Sequence, residues 1–183
     1  AVLALAVGTV APAQEQPRPR PSLNLYGTTG LIDMPSAEAQ PDGQISISYS
    51  QFGDFSRRNF TFQILPRVSG TLRYSTIKNW GQNDEFGVYD PEYSLYDRSF
   101  DLKLKLIEEA PNWPAVSLGL QDFLGTGVYS GEYFAATKNL LDGDLKLTGG
   151  IGWGRFAGRS GIDNPLCQNG NRFCDRPTSS GTG

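Results

Sequence analysis

Histidine is absent from this 183-residue chain. With it go the usual general base near neutral pH, the Ser-His and Cys-His nucleophile pairs and the commonest transition-metal ligand. Long apolar runs are also missing: nothing approaches the roughly 20 residues of a membrane helix. The other way to satisfy every backbone hydrogen bond in lipid is a closed β-barrel, so any spanning structure must be one. There is no surplus of positive charge, with 16 Lys and Arg against 19 Asp and Glu, which argues against nucleic acid as a partner. Cysteine is scarce. The two present, Cys167 and Cys174, sit in the polar stretch CQNGNRFC. In an exported chain so close a pair reads as one local disulfide, and two Cys without His give too few ligands for zinc. No metal, cofactor or enzymatic activity is expected.

What is present suits an all-β chain: Gly 22, Pro 12 and 11 % aromatic residues. The first residues, AVLALAVGTVAPA (1–13), form an apolar run that ends in a small-x-small pattern, as at a signal-peptide cleavage site. Export is the expectation, and no Cys follows the run to support a lipid-anchored start. A low-complexity linker (14–22) leads into a segment rich in turn formers (23–43). Beyond it, RSFDLKLKLIEE (98–109) places Phe100, Leu102, Leu104 and Leu106 on one parity, against Asp101, Lys103 and Lys105 on the other. A period of two is that of a β-strand, whose successive side chains point to opposite faces. The same alternation runs through 44–51, 60–65, 68–77, 115–124 and 144–154, and more weakly through 132–138. About seven strands are predicted, with no convincing amphipathic helix.

Two structures accept that pattern. In a soluble sandwich the leucines face a core; in a membrane barrel they face lipid and the charges face a wet lumen. The connections favour the barrel. GDFSRRN, the long 78–97 segment and the tail read as polar loops, whereas Pro66-Arg67, EEAPNWP and NLLDGD read as tighter turns. Outer-membrane barrels alternate long external loops with short periplasmic turns in this way. GTGVYSG, no longer than EEAPNWP, makes the alternation imperfect. Aromatics near strand ends (Phe52, Phe55, Trp80, Tyr96, Trp113, Phe123, Tyr129, Phe156) fit interfacial belts. The fold expected is an antiparallel up-and-down outer-membrane β-barrel, incomplete in this chain, with the partial barrel over 44–154 and a polar external loop over 155–183.

The stretch LYGTTGLIDMPSAEAQPDGQISISYSQFG and the later YDRSFDLKLKLIEEAPNWPAVSLGLQDFLGTGVYSGEYFAATK resemble the YjbH-type family of outer-membrane exopolysaccharide proteins, which includes capsule-associated members. The likeness covers most of residues 23–158 and leaves the tail from Gly158 unmatched. It implies a barrel in the outer membrane of a Gram-negative bacterium that helps to make or export a capsular or biofilm exopolysaccharide. Its implied partners are outer-membrane lipid, the extracellular polysaccharide, and periplasmic and lipoprotein components of the same system. It carries over no catalytic residue. The alternative is a soluble secreted β-sandwich that binds or hydrolyses carbohydrate.

Two sets of residues are candidates for function. Arg73, Asp101, Lys103, Lys105, Asp144 and Lys146 share the polar face of their strands and are candidate lumen contacts for a hydrated glycan. In the opening motif GTTGLIDMPSA, Gly27 and Gly30 permit tight bends, Pro35 fixes one, and Asp33 lies between them. That motif reads either as a small plug or barrel-mouth turn, or as a lead-in packed on the rim. It is not a phosphate loop, having no Lys after the second Gly. Catalysis by Asp97, Asp101, Glu108 and Glu109 is disfavoured, because Asp97 and Asp101 fall about 13 Å apart along one strand, beyond the spacing of an inverting pair.

Overall fold

The computed structural model describes residues 20–83 and 89–157. The expected signal peptide at 1–13 and the expected Cys167–Cys174 disulfide lie outside them. Seven strands form the wall: β1 (Ile45–Phe52), β2 (Phe55–Leu65), β3 (Val68–Ile77), β4 (Leu95–Ile107), β5 (Ala115–Gly125), β6 (Gly131–Leu140) and β7 (Leu145–Gly152). Each pairs antiparallel with its neighbour in sequence, so the seven-stranded sheet is an up-and-down meander with β1 and β7 at its edges. It curls into an open half-barrel.

The expected strands are all present, with one correction at β2. GDFSRRN is not a polar loop. Only Gly53 and Asp54 turn the chain, and Phe52 already pairs with Phe55. Gly53 takes φ 55°, the left-handed geometry that lets a tight hairpin follow the right-handed twist of its strands. The arginines that looked loop-like continue the alternation instead: Arg57 points inward and Arg58 outward.

The two faces of the sheet are inverted relative to a soluble protein. Buried on the concave side are Arg57, Asn59, Thr61 and Gln63 of β2, Thr71, Arg73 and Ser75 of β3, and Asp97, Ser99, Asp101 and Lys103 of β4. The convex side carries Ile47, Phe60, Leu72, Leu124 and Ile151, with Ile47 80 % exposed. Among the described residues no second sheet is stacked on these apolar side chains; the two remaining sheets are two-residue pairs. Phe100, Leu102 and Leu104 are half-buried beside their outward neighbours, and Leu106 is exposed. The sandwich alternative has no opposing layer here.

The expected aromatic belt divides. Phe52, Trp80, Tyr96 and Trp113 are exposed, while Tyr129 is buried in a small interior cluster with Tyr26 and Ile77, against which Phe55 packs. Tyr129 turns inward because its connection, 126–130, folds back over the concavity. Its phenol is pushed up from the ordinary tyrosine value by that burial.

Candidate functional site

What fills the concavity is the segment 22–40. Gly30 and Leu31 pair with Pro35 and Met34 in a miniature hairpin, and Ser22 and Ser36 close its base on Gly30 and Thr29. Two glycines make this possible. Gly27 has φ 83°, and a Cβ there would lie 2.5 Å from Asn59 Cβ, so only glycine lets the segment come this close to β2. At Gly30 a Cβ would meet the Met34 carbonyl oxygen at 2.1 Å. Pro35 is buried, and Asp33 is exposed at the hairpin tip with Leu31 and Ile32. Because it lies against the concave face, the segment is termed the plug below.

The wall holds the plug by its polar parity. Thr61 donates to the Gly27 carbonyl (2.6 Å), Asn59 and Ser50 to that of Leu25 (3.3 and 3.0 Å), and the Ala37 amide donates to Thr137 Oγ1 (2.8 Å). Lys103 is buried beneath it. Its ammonium donates to the carbonyls of Ser36 (2.5 Å) and Glu38 (2.6 Å) and to the Thr29 hydroxyl, which uses all three of its protons. Lys146 of β7 pairs with the Glu38 carboxylate at 2.6 Å.

A charged cluster lies beside the plug. Arg73 of β3 forks onto Asp101 of β4, Nη1 to Oδ2 at 2.6 Å and Nη2 to Oδ1 at 3.1 Å. Opposite Asp101 the β4–β5 register slips: Phe100 pairs with Leu124 but Leu102 with Leu120. This bulge puts Gln121 and Asp122 both on the inner side, with Asp122 at φ 51°. Released from the ladder, the Asp122 amide donates to Asp101 Oδ1 at 2.8 Å. The Asp122 carboxylate accepts from the Tyr129 amide (3.2 Å), and Asp97 accepts from the Thr126 hydroxyl. Tyr26 of the plug sits among three guanidinium groups, with Arg57, Arg73 and Arg155 Cζ at 4.5, 5.1 and 3.6 Å from its ring centre. Burial pulls the Arg155 guanidinium down from its ordinary value, and its Nε donates to Gln121 Oε1 (2.7 Å).

Of the six candidate lumen residues, Arg73, Asp101 and Lys103 are therefore together on the inner face, but both Arg73 Nη atoms, both Asp101 oxygens and Lys103 Nζ are engaged with the chain's own partners. Lys146 is on that face, tied to the plug. Lys105 is at the end of β4, paired with Glu108 at 2.6 Å. Asp144 lies outside the strands, exposed in the turn before β7. Sequence reasoning missed Tyr26, Arg57, Arg155 and Asp122. For Asp122 the adjacent polar pair in LGLQDFL, which interrupts the alternation, was an available signal. Among the described residues no group of three His, Cys, Asp or Glu could hold a metal ion.

A family model described as "Exopolysaccharide biosynthesis protein YbjH" matches residues 22–183. The chain belongs to the YjbH exopolysaccharide biosynthesis family. The match runs through the tail from Gly158, which the resemblance had left out. The chain is 31 % identical over 179 residues to a protein of Escherichia coli (strain K12) named "Uncharacterized lipoprotein YjbH", covering 97 % of this chain and 25 % of that protein. It thus spans about a quarter of that relative's length. No solved structure matches.

Proposed function

We propose that these strands are part of the wall of an outer-membrane β-barrel, plugged from inside by residues 22–40, in a non-catalytic component of exopolysaccharide export or assembly. The observation that carries this reading is the inverted sheet. A solvated half-barrel with its isoleucines and leucines outward and its Arg73–Asp101 pair buried inward is unfavourable; the same sheet against hydrocarbon buries its apolar face and keeps its polar face away from lipid.

The outward face is also banded. Two cross-strand rows on it are apolar, Ile47–Phe60–Leu72–Phe100–Leu124 and Leu104–Leu118–Phe134–Ile151, and between them Ile45–Phe62–Gly70–Leu102–Leu120 is apolar up to β6, where Leu120 pairs with Glu132. Beyond them at one end lies Tyr49–Arg58–Tyr74–Arg98, and at the other Arg67, Glu108, Glu109 and Lys138 with exposed Trp113. At about 3.3 Å per residue the interval from Arg98 to Glu108 measures about 33 Å, or about 25 Å across a bilayer for a strand tilted by about 40°. That is the height of the apolar band of outer-membrane barrels. The long 78–94 connection lies at the Arg–Tyr end, which makes that end the external one.

The catalytic reading loses ground because Asp101, the best-placed carboxylate, is locked by Arg73 and the Asp122 amide. Within the lumen, Lys105 and Lys146, whose carboxylate partners Glu108 and Glu38 are themselves partly exposed, are the positions nearest to solvent for a glycan, while Arg73, Asp101 and Lys103 are buried. The relative's name, a lipoprotein, agrees with an envelope location and with lipoprotein partners in the same system. Fractionation of cells expressing the full-length protein, with electrophoresis before and after boiling, tests the placement. Recovery in the outer membrane with heat-dependent migration is expected, and a freely soluble pool would refute it. Loss of extracellular polysaccharide on gene deletion tests the role.

A further inference from the structure

We infer that the outward face carries a binding site for the phosphate of an anionic lipid, held between Arg58 and Arg98, with an acyl chain in the apolar groove beside them. The inference rests on the membrane placement proposed above.

The row Tyr49–Arg58–Tyr74–Arg98 alternates aromatic and cationic side chains across four adjacent strands, in register. Tyr74 is its centre: Arg58 Cζ lies 6.0 Å and Arg98 Cζ 5.8 Å from its ring centroid, one from each neighbouring strand. Tyr49 supports Arg58 from the other side at 5.8 Å, and Tyr96 stacks on Tyr74 with ring centres 6.2 Å apart. The rings position both guanidinium groups without neutralising them. Among the described residues neither arginine forms an ion pair with a carboxylate, whereas Arg67 and Arg73 each do. A planar guanidinium with free donors is matched to phosphate oxygens.

Next to the pair the surface forms an open groove of about 520 Å³, floored by Phe60, Leu72, Phe100 and Leu124 and bordered by both arginines and Tyr74. It runs from the cationic row into the apolar band. A soluble anion would satisfy the arginines and leave that floor exposed. A lipid that carries a phosphate satisfies both, headgroup at the row and chain in the groove, which decides the occupant.

The test uses the full-length protein reconstituted into phosphatidylcholine vesicles containing trace spin-labelled phosphatidic acid or spin-labelled phosphatidylcholine. The fraction of each label immobilised by the protein is measured. Phosphatidic acid should be preferred by about fivefold per arginine, and the preference should weaken with salt. Arg58→Gln with Arg98→Gln should abolish the preference while heat-dependent migration persists; Arg58→Lys with Arg98→Lys, which keeps the charge and loses the fork, should retain part of it. No preference in the wild type, or equal preference in the Gln and wild-type proteins, overturns the site alone. Failure of the wild-type protein to insert into any vesicle overturns the membrane reading and the site with it.

Discussion

Arg73 and Asp101 form a two-pronged ion pair on the inner face of the wall, and Leu72 and Leu102, their neighbours in sequence, lie on the outer face. With side chains 0 % and 4 % exposed, neither charge has water to fall back on. Removing one partner leaves the other buried and unpaired. Asp101→Asn or Arg73→Met should each destabilise the folded protein by about 3–5 kcal/mol. The double variant Arg73→Met, Asp101→Leu should recover much of that. Denaturant unfolding of the four proteins in one double-mutant cycle checks both statements.

Tyr26 fastens the plug. Its ring meets three guanidinium groups and packs edge-on against Tyr129, with centroids 5.6 Å apart. Tyr26→Ala should cost about 3–5 kcal/mol of local stability and open residues 22–40 to protease. Tyr26→Phe keeps the ring and gives up only the bond from Arg57, so its cleavage pattern should stay close to wild type.

Tyr133 lies flat over Gly119 on the neighbouring strand, where an added Cβ would fall 2.0 Å from the ring. Gly119→Ala should therefore cost about 1–3 kcal/mol through displacement of the Tyr133 ring. In a Tyr133→Leu background the same change should cost less. Thermal unfolding of the single and double variants gives the comparison.

The connection after β4 is fastened to β6 by Glu109, which accepts from the Asn139 amide (2.8 Å) and side chain (2.5 Å) and pairs with Lys138 at 3.2 Å. Slight burial works to raise this carboxyl, but the bonds from Asn139 and the Lys138 charge outweigh it, and the net position is below the ordinary value. A carboxyl lowered in the folded state stabilises above its unfolded pKa, and the contribution disappears as pH falls through the folded one. The protection factor of the Asn139 amide, taken relative to intrinsic exchange at each pH, should fall on acidification across the carboxylate range, and Glu109→Gln should remove that pH dependence.

Much of the wall was legible because one physical rule governs it: a strand between two unlike media must alternate. The rule holds whichever medium lies outside, which is why RSFDLKLKLIEE identified β4 without identifying its environment. Arg57 and Arg58 were misread as loop because two adjacent charges look solvated, yet one points into the charged interior and the other to the band's rim. The interior itself was less accessible. Arg73 meets Asp101 only once β3 and β4 pair in register, and Tyr26 finds its arginines only when the plug folds back over β2, β3 and the turn after β7. Contacts of that range leave no periodic trace. Two members of the supposed aromatic belt, Tyr129 and Phe55, instead pack around Tyr26 of the plug.

Ile151 is 56 % exposed in the middle of the outward band. On a water-facing surface Ile151→Arg would change stability by no more than about 0.5 kcal/mol. Against hydrocarbon near the midplane it should cost about 2–4 kcal/mol and reduce assembly into the outer membrane. Assembly yield and heat-dependent migration of the variant distinguish the two.

The central claim is that the apolar parity touches lipid. Spin labels placed singly at Leu72, Leu102, Leu104 and Leu118, and at the inward Thr71, Ser99 and Ser117, address it in the reconstituted full-length protein. Collision rates are measured with oxygen, which concentrates in the bilayer, and with a water-soluble nickel chelate. The account predicts that the four leucine positions collide with oxygen and are shielded from nickel, and that oxygen contact drops at the three inward positions. Nickel access at Leu102 and Leu104 equal to that of an exposed loop site would contradict it.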